Sequence, residues 1–296
     1  MEKKIALLVV YNHRFDKNIP RVQNLYKDRF SSIYHIVPFY DGENPGVDVI
    51  PVYESSYYFE GYISQAYTHL KGKGFTHFFV IADDLILHPK VNEYNLWECV
   101  GANEDECFIP SKPKVFQKLD YYWDSVYDAI NYRVKQDGVE VEKILPSYDE
   151  AKQRLEKHGF PVGRVPLKAF APSDRLSCVR LMKNLKGVLF RRTPIYPLVG
   201  CYSDIFMVTA DVMESFCTYC GAFAATNLFV EVAVPSALVF SSDKIKFDDD
   251  LLLHDGSLWN DEVHRLDKYN NNLSSLMNDF PSDKLFIHPV KLSKWN

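Results

Sequence analysis

The sequence lacks an excess of positive charge. Its 296 residues contain 34 Lys and Arg against 39 Asp and Glu, which gives a formal net charge of −5. No basic run changes this balance locally, so no electrostatic field draws the chain toward the phosphate backbone of a nucleic acid. Nucleic acid is therefore not an expected partner.

Long hydrophobic runs are also missing near the start. The run at 5–10 contains six apolar residues before Tyr11 and Asn12 interrupt it. This length is too short for a signal sequence or for a helix that spans a membrane. The expectation is a cytoplasmic protein without a transmembrane segment.

The cysteines do not have the spacing that a structural zinc site requires. Of the six cysteines, Cys217 and Cys220 form a C-x-x-C pair, and a second such pair is missing. A zinc ribbon needs two pairs, so the cysteines are expected to be reduced thiols. Internal repeats and low-complexity tracts are absent as well, and the composition is that of an ordinary globular protein.

Apolar runs alternate with helical patterns in the first third of the chain. Residues 4–10 and 33–41 predict strands, and helices are predicted after them at 19–30 and 58–74. The run 78–82 predicts a third strand. This order is typical of a doubly wound α/β sheet, whose ligands bind beyond the carboxyl ends of the strands.

The middle of the chain is helical in character. Two helices are predicted, at 115–136 and at 147–159, and the second begins with a capping box formed by Ser147 and Glu150. A strand and a helix that begins at Thr209 or Asp211 follow within 197–223, and 226–240 predicts one more helix.

Two adjacent carboxylates follow the apolar run 78–82. Asp83 and Asp84 would repel each other unless a cation lay beside them, and a divalent metal is the natural counter-charge. Mg²⁺ or Mn²⁺ bound by one or two carboxylates keeps positions for substrate phosphates, so a nucleotide diphosphate is a plausible ligand. The alternative is that the pair merely starts a turn, as Asp commonly does.

Polar and aromatic residues follow the first two predicted strands. Tyr11 is a candidate for stacking on a nucleotide base, and Asn12 or Arg14 for binding base or phosphate edges. Asp41, after the second strand, is a candidate contact for the ribose or the base. The alternative for the first three is an ordinary polar loop.

The acidic motif at the strand end resembles that of the GT-A family of nucleotide-sugar-dependent glycosyltransferases. The family's DxD-type motif would read Ala82-Asp83-Asp84 here, followed by Leu85 and Pro89. Its first position is Ala rather than an acid. The last acid, Asp84, matches the position of the direct metal ligand, and Asp83 would assist it in binding the donor.

Three further matches follow the family's order along the chain. Gly200 resembles the glycine of the loop that precedes a strand on the acceptor side, which makes it a candidate donor-binding residue, and Asp204 lies at the start of that strand. Glu231 matches the acid that serves inverting enzymes as catalytic base, and Asp204 is the alternative base. His254 matches the C-terminal histidine of the metal site. The other interpretations are a solvated helix position for Glu231 and a core or capping role for His254.

The resemblance implies a fold and an activity. The fold would be a GT-A type, Rossmann-like, mostly parallel sheet with helices on both faces. A single domain, 1–296, would comprise a nucleotide-sugar-binding half at 1–110, a helical insertion at 111–172 and an acceptor-side half at 173–296. The activity would be transfer of a sugar, with inversion, from a nucleotide diphosphate donor to a carbohydrate or other hydroxyl acceptor. The cofactor would be Mn²⁺ or Mg²⁺, and an imidazole ligand favours manganese.

Two rival functions stay open. Ala82 keeps open a non-catalytic nucleotide- or carbohydrate-binding module of the same fold, because the first acid of the motif is missing. A sugar nucleotidyltransferase is disfavoured, since such enzymes carry a glycine-rich phosphate loop after the first strand and residues 9–20 contain no glycine.

Overall fold

A computed structural model describes residues 4–119, 126, 129–130, 132–136, 138, 140–164, 196–247 and 253–296. The described strands are β1 (Ile5–Val10), β2 (Ile33–Pro38), β3 (Asp48–Val52), β4 (His77–Ala82), β5 (Ile86–Leu87), β6 (Cys107–Phe108), β7 (Lys114–Val115), β8 (Val199–Gly200), β9 (Ile205–Thr209), β10 (Ile245–Lys246) and β11 (Phe286–Ile287). The described α-helices are α1 (Ile19–Tyr26), α2 (Glu60–Leu70), α3 (Leu96–Val100), α4 (Tyr148–Lys157), α5 (Ala210–Ala225), α6 (Val230–Ser241) and α7 (Leu273–Asn278).

Seven of these strands form a central sheet in the order β10-β6-β9-β4-β1-β2-β3. β9 runs antiparallel to both of its neighbours, β4 and β6, and the other neighbouring pairs are parallel. The predicted α/β class with a mostly parallel sheet is therefore confirmed.

Both faces of the sheet are covered. Ala6 and Leu8 of β1 belong to a core shared with α2, α5 and α6, whereas Leu7 and Val9 belong to a second core shared with α1 and with residues near the C-terminus. Successive strand residues point to opposite faces, and here both faces are apolar. This explains why β1 and β4 read as continuous apolar runs instead of alternating ones.

Several predicted elements differ from the observed ones. The predicted helix at 147–159 is α4, and Ser147 and Glu150 form its capping box. The helix predicted from 115 does not begin there, because β7 pairs with β8 and a 3₁₀ turn, Phe116–Lys118, follows. Much of 119–136 lies outside the described residues. The helix predicted from 226 begins at Val230, because Asn227 adopts a left-handed conformation with a φ of 56°.

β3 was not predicted at all. It is an edge strand in which only Ile50 and Val52 are buried, and it contains Pro51, so its apolar pattern is weak. Within the described part of the chain, no helix combines the length and the apolar character that crossing a bilayer requires.

Helices α2 and α5 pack at close range through glycines. A Cβ atom at Gly61 would lie 2.8 Å from the Cβ of Ala224, and one at Gly221 would lie 2.9 Å from Oγ of Ser64. Glu60, beside this contact, is fully buried, and neither of its carboxylate oxygens has a hydrogen-bond partner. Burial raises the pKa of Glu60 well above its ordinary value, so the folded protein keeps this proton at pH values where an exposed glutamate has lost it.

This carboxyl should make folding stability fall as the pH rises. Above the ordinary pKa of a glutamate the unfolded chain releases the proton and the folded chain keeps it, which favours the unfolded state by about 1.4 kcal/mol per pH unit. Glu60→Gln retains the shape and has no proton to release. Urea denaturation at a series of pH values above about 4.3, the ordinary pKa of a glutamate, should show a slope that is smaller by this amount in Glu60→Gln than in the wild type. Exposed Glu43→Gln is the control, and equal slopes in Glu60→Gln and wild type would contradict the assignment.

Candidate active site

The carboxyl ends of β1 and β4 meet at one edge of the sheet. Val10 and Ala82 are register partners, and the Asp83 N–H donates to the Val10 carbonyl at 2.9 Å. The antiparallel β9 begins at this same edge, where the carbonyl of Asp204 accepts from the Ala82 N–H at 2.9 Å. The strand order therefore collects Asp83, Asp84 and Asp204 from distant parts of the sequence.

Asp83 points into the protein. Its carboxylate is buried and accepts hydrogen bonds from the Asn18 side chain and the Asn12 backbone N–H. Burial, followed by the nearby charge of Asp84, raises the pKa of Asp83 to about 7. Asp83 thus holds the loop after β1, and Asn12 contributes to this site through its backbone.

Asp84 faces a histidine that the sequence interpretation had not assigned. Nε2 of His288 lies 3.1 Å from Oδ1 of Asp84 and 3.9 Å from Oδ2 of Asp204. Burial alone would lower the pKa of His288, but Asp84, Asp204 and Asp255 outweigh it and raise this pKa above its ordinary value. The imidazole is therefore held between carboxylates.

Backbone pairing brings His288 to this position. β11 pairs antiparallel with β5, and the Val290 N–H donates to the Asp84 carbonyl at 2.7 Å. A Cβ atom at Gly256 would lie 1.5 Å from the Phe286 carbonyl oxygen, so only glycine allows the two segments to meet. The Tyr202 ring, stacked on Phe286 and 5.8 Å from the His288 ring, supports the imidazole.

His254 occupies a different place from the one predicted. Its side chain is exposed, and its backbone exchanges hydrogen bonds with Asp283 and Leu285. The histidine beside Asp84 is His288. Both histidines end short apolar runs in the sequence, so the pattern that singled out His254 was equally present in 285–288.

Glu231 lies in the first turn of α6, next to the predicted glycine loop. The Cys201 N–H donates to the Glu231 carbonyl at 3.0 Å, and Gly200 packs against the same carbonyl. Burial and the charge of Asp204 raise the pKa of Glu231 to about 8, against the opposing effect of His288. Burial also raises the pKa of Asp204. Both acids have the environment of a general base.

A cavity of about 650 Å³ opens beside Glu231. Its volume is within the range of small-molecule sites. The lining residues include Glu231, Gly200, Tyr202 and the exposed indole of Trp259. The cavity is therefore adjacent to Glu231, the candidate general base.

Tyr11 is not available for stacking on a base. The side chain is fully buried, and its hydroxyl lies 2.9 Å from Nδ1 of His35, whose Nε2 lies 2.9 Å from Oε1 of Gln23. Burial lowers the pKa of His35 to about 4, so this imidazole is neutral. Its Nε2–H donates to the Gln23 carbonyl oxygen and its Nδ1 accepts from Tyr11. Tyr11 belongs to the core.

Arg14 and Asp41 pair with each other on the surface at this edge of the sheet. Two residues before Asp41, Phe39 is 57% exposed and its ring lies 5.7 Å from that of Tyr53, which is 64% exposed. Phe39 also has a φ of 52°, a conformation that is rare for a bulky residue. This aromatic pair was missed because Phe39 read as part of the second strand.

The residues at this edge have the donor chemistry of a two-ligand metal site. Within the described ranges, no three His, Cys, Asp or Glu side chains form a group that could hold a metal ion by themselves. Asp84 and His288 supply one carboxylate and one imidazole at adjoining positions. Magnesium and manganese sites with so few protein ligands fill their remaining positions with water and substrate phosphates. The side chains therefore fit such an ion.

No model of a protein family matches this chain, and no curated protein matches it significantly.

Proposed function

We propose that this protein is a metal-dependent glycosyltransferase of the GT-A type. It moves a sugar from a nucleotide diphosphate donor to a hydroxyl acceptor with inversion. The observation that carries the proposal is the meeting of Asp84, Asp204, His288 and Glu231 at the carboxyl edge of a mostly parallel sheet, beside a cavity of about 650 Å³. Ligands of such sheets bind at this edge.

Asp84 and His288 are the residues that would hold Mn²⁺ or Mg²⁺, and the imidazole favours manganese. A bound divalent ion supplies positive charge that stabilises a departing nucleotide diphosphate. Asp83 acts indirectly, because its carboxylate is bound to Asn18 and to the Asn12 N–H and so orders the loop on which the donor would lie. His288 replaces His254 in this assignment.

Glu231 takes the proton of the acceptor hydroxyl. As that oxygen attacks the anomeric carbon from the face opposite the diphosphate, the bond to the diphosphate breaks and the proton passes to the Glu231 carboxylate. The raised pKa of Glu231 suits this transfer, since a base that titrates near the working pH accepts a proton most effectively. Asp204 is the alternative base.

The donor's base would lie toward β2 and β3. Strands are spaced about 4.8 Å apart, so the ends of β2 and β4 are roughly 10 Å apart across β1. The exposed Phe39 and Tyr53 offer ring surface there, and Asp41 and Arg14 offer polar edges. This assignment replaces Tyr11 with Phe39 as the stacking residue.

A non-catalytic binding module is the second candidate. The observation in its favour is Ala82, which ends β4 as a buried residue where the family motif has an acid. A module of this kind would bind a nucleotide with metal and leave it intact.

Hydrolysis of nucleotide sugars separates the two candidates without knowledge of the acceptor. Purified protein is incubated with a panel of uridine, guanosine, adenosine and cytidine diphosphate sugars with and without manganese, and nucleotide binding is measured by calorimetry. Slow, manganese-dependent release of one nucleoside diphosphate is the expected result, because water replaces the acceptor. Metal-dependent binding with no release would favour the module, and no binding to any member would contradict both the glycosyltransferase and a nucleotide-binding module.

A further inference from the structure

The cavity beside Glu231 carries an aromatic surface that faces solvent. Trp259 lines it and is 51% exposed, whereas Tyr202, which also lines it, is buried. Single exposed aromatic residues are common on protein surfaces and usually need no explanation. Trp259 differs because its ring borders the same cavity as a largely buried glutamate with a raised pKa.

The indole is held in place by its neighbours. Its ring meets that of Tyr202 edge to face, at 6.0 Å and 89°. The preceding residue, Leu258, donates its N–H to the His288 carbonyl at 2.7 Å, and Asn260 adopts a left-handed φ of 52° that starts the 3₁₀ helix Asn260–Tyr269. Trp259 is therefore anchored to the segment that carries His288, and its side chain would lose little conformational entropy when a ligand packs on it.

The remaining lining is mixed in polarity. Leu119 and Phe229 add apolar surface, and Ser111 and Asn260 add a hydroxyl and an amide. Lys112 and Lys114 add two ammonium groups, which can donate hydrogen bonds to the oxygens of hydroxyl groups. A ligand that matches this lining has one flat apolar face and an edge of hydroxyl groups. Pyranose sugars have this construction, with C–H groups on a ring face and hydroxyls around the rim.

We propose that the cavity binds a carbohydrate acceptor, with the apolar face of a sugar ring packed on Trp259 and one hydroxyl directed at Glu231. This inference rests on the proposed function, because only in a glycosyltransferase would the bound sugar be an acceptor. Binding of a sugar in this cavity can be measured independently of that function. Trp259 is then a specificity-determining residue on the acceptor side.

The shape of the cavity favours a sugar over other hydroxyl acceptors. A volume of about 650 Å³ accommodates a small molecule, whereas a lipid alcohol would use a longer and more uniformly apolar channel. A serine or threonine side chain on a protein would present one hydroxyl and no ring face to Trp259. Both of these acceptor classes are outcomes of the test below.

The test measures binding by saturation-transfer NMR, which does not require turnover. The probes are methyl glycosides of glucose, galactose, mannose and N-acetylglucosamine, together with 1-hexanol and an N-acetylserine amide as the non-carbohydrate probes. At least one glycoside should receive saturation at its ring C–H protons in the wild type. Trp259→Ala should weaken that binding about tenfold, the factor that about 1.4 kcal/mol of lost contact produces, and Trp259→Phe should retain most of it.

Tyr94→Ala serves as the control. It removes an exposed aromatic ring that does not line the cavity, and it should leave glycoside binding unchanged. Binding that depends on Trp259 and is unchanged in Tyr94→Ala supports the proposal.

The outcomes separate this inference from the proposed function. Three results would each overturn the carbohydrate site. They are the absence of saturation in every glycoside, saturation of only hexanol or the serine amide, and equal glycoside binding by wild type and Trp259→Ala. If donor hydrolysis occurs in that case, the proposed function survives and only the acceptor assignment fails. If glycosides bind through Trp259 and no donor is hydrolysed, the site stands and the glycosyltransferase function fails.

Discussion

Glu231→Gln should lower sugar transfer by about 10²–10⁴-fold, the usual size of a general-base contribution. Gln keeps the shape of the side chain and cannot accept the proton of the acceptor hydroxyl. Donor affinity should stay within a few-fold of the wild-type value, because Glu231 lines a cavity that Asp84, His288 and Phe39, the residues assigned to the donor and its metal, do not line. Initial transfer rates and calorimetric donor binding measure the two effects separately.

The pH dependence of the transfer rate is a second test of the role of Glu231. The base works only when deprotonated, so the rate should rise with pH through its pKa, which burial and Asp204 raise to about 8. A bound cation would lower this pKa further, in the same direction as the positive charge of His288, so the midpoint should lie at or below that value. Glu231→Gln should lack this rise.

Asp204→Asn is the matched comparison for the base. Near-normal transfer by Glu231→Gln together with a large loss in Asp204→Asn would exchange the two roles, since the pKa of Asp204 is also raised by burial. The product should carry the anomeric configuration opposite to that of the donor, because one displacement inverts the centre. Retention, observed by NMR of the product, would contradict a single displacement with Glu231 as base.

Asp84→Ala should abolish metal-dependent binding of a nucleoside diphosphate. Removal of a direct ligand should exceed the 10–100-fold loss in metal affinity that mutation of an outer partner causes, so a loss of at least about 100-fold is expected. Calorimetric titration with uridine, guanosine, adenosine and cytidine diphosphates, with and without manganese, measures it. Unchanged affinity would rule out the metal site at Asp84.

Two histidine variants test how the metal site is completed. His288→Ala should cost about 1–3 kcal/mol of manganese-coupled nucleotide binding, the size of one lost polar partner in a buried site. His254→Ala is the control and should bind normally, because its side chain is exposed while His288 lies 3.1 Å from Asp84. If His254→Ala weakened binding and His288→Ala did not, His254 would be the metal ligand, as the resemblance implies, and His288 would only support Asp84. Thermal melting of each variant separates loss of binding from loss of fold.

Asp83→Ala should behave differently from Asp84→Ala. The Asp83 carboxylate is buried and bound to Asn18 and to the Asn12 N–H, so its loss should loosen the loop after β1 and weaken nucleotide binding less. The two neighbouring acids are equivalent in sequence. Strand geometry distinguishes them, because successive side chains alternate in direction at the end of β4.

The sequence by itself determined strands β1, β2 and β4, helix α4 and the position of Asp83 and Asp84 at the end of β4. These are local properties, because an apolar run that can be buried on both faces and a helix with a capping box depend on neighbouring residues. The apolar surroundings of Glu231 were visible for the same reason. Burial in those surroundings raises its pKa to about 8.

Only the tertiary structure decided which distant residues meet. Tyr11 at a strand end reads as a candidate ligand contact, yet packing buries it against His35. His254 and His288 both end apolar runs, and the pairing of β11 with β5 brings the second of them to Asp84. Contacts of this kind depend on how segments that are distant in sequence pack together. Their packing depends on shape complementarity over the whole core, which no local sequence pattern contains.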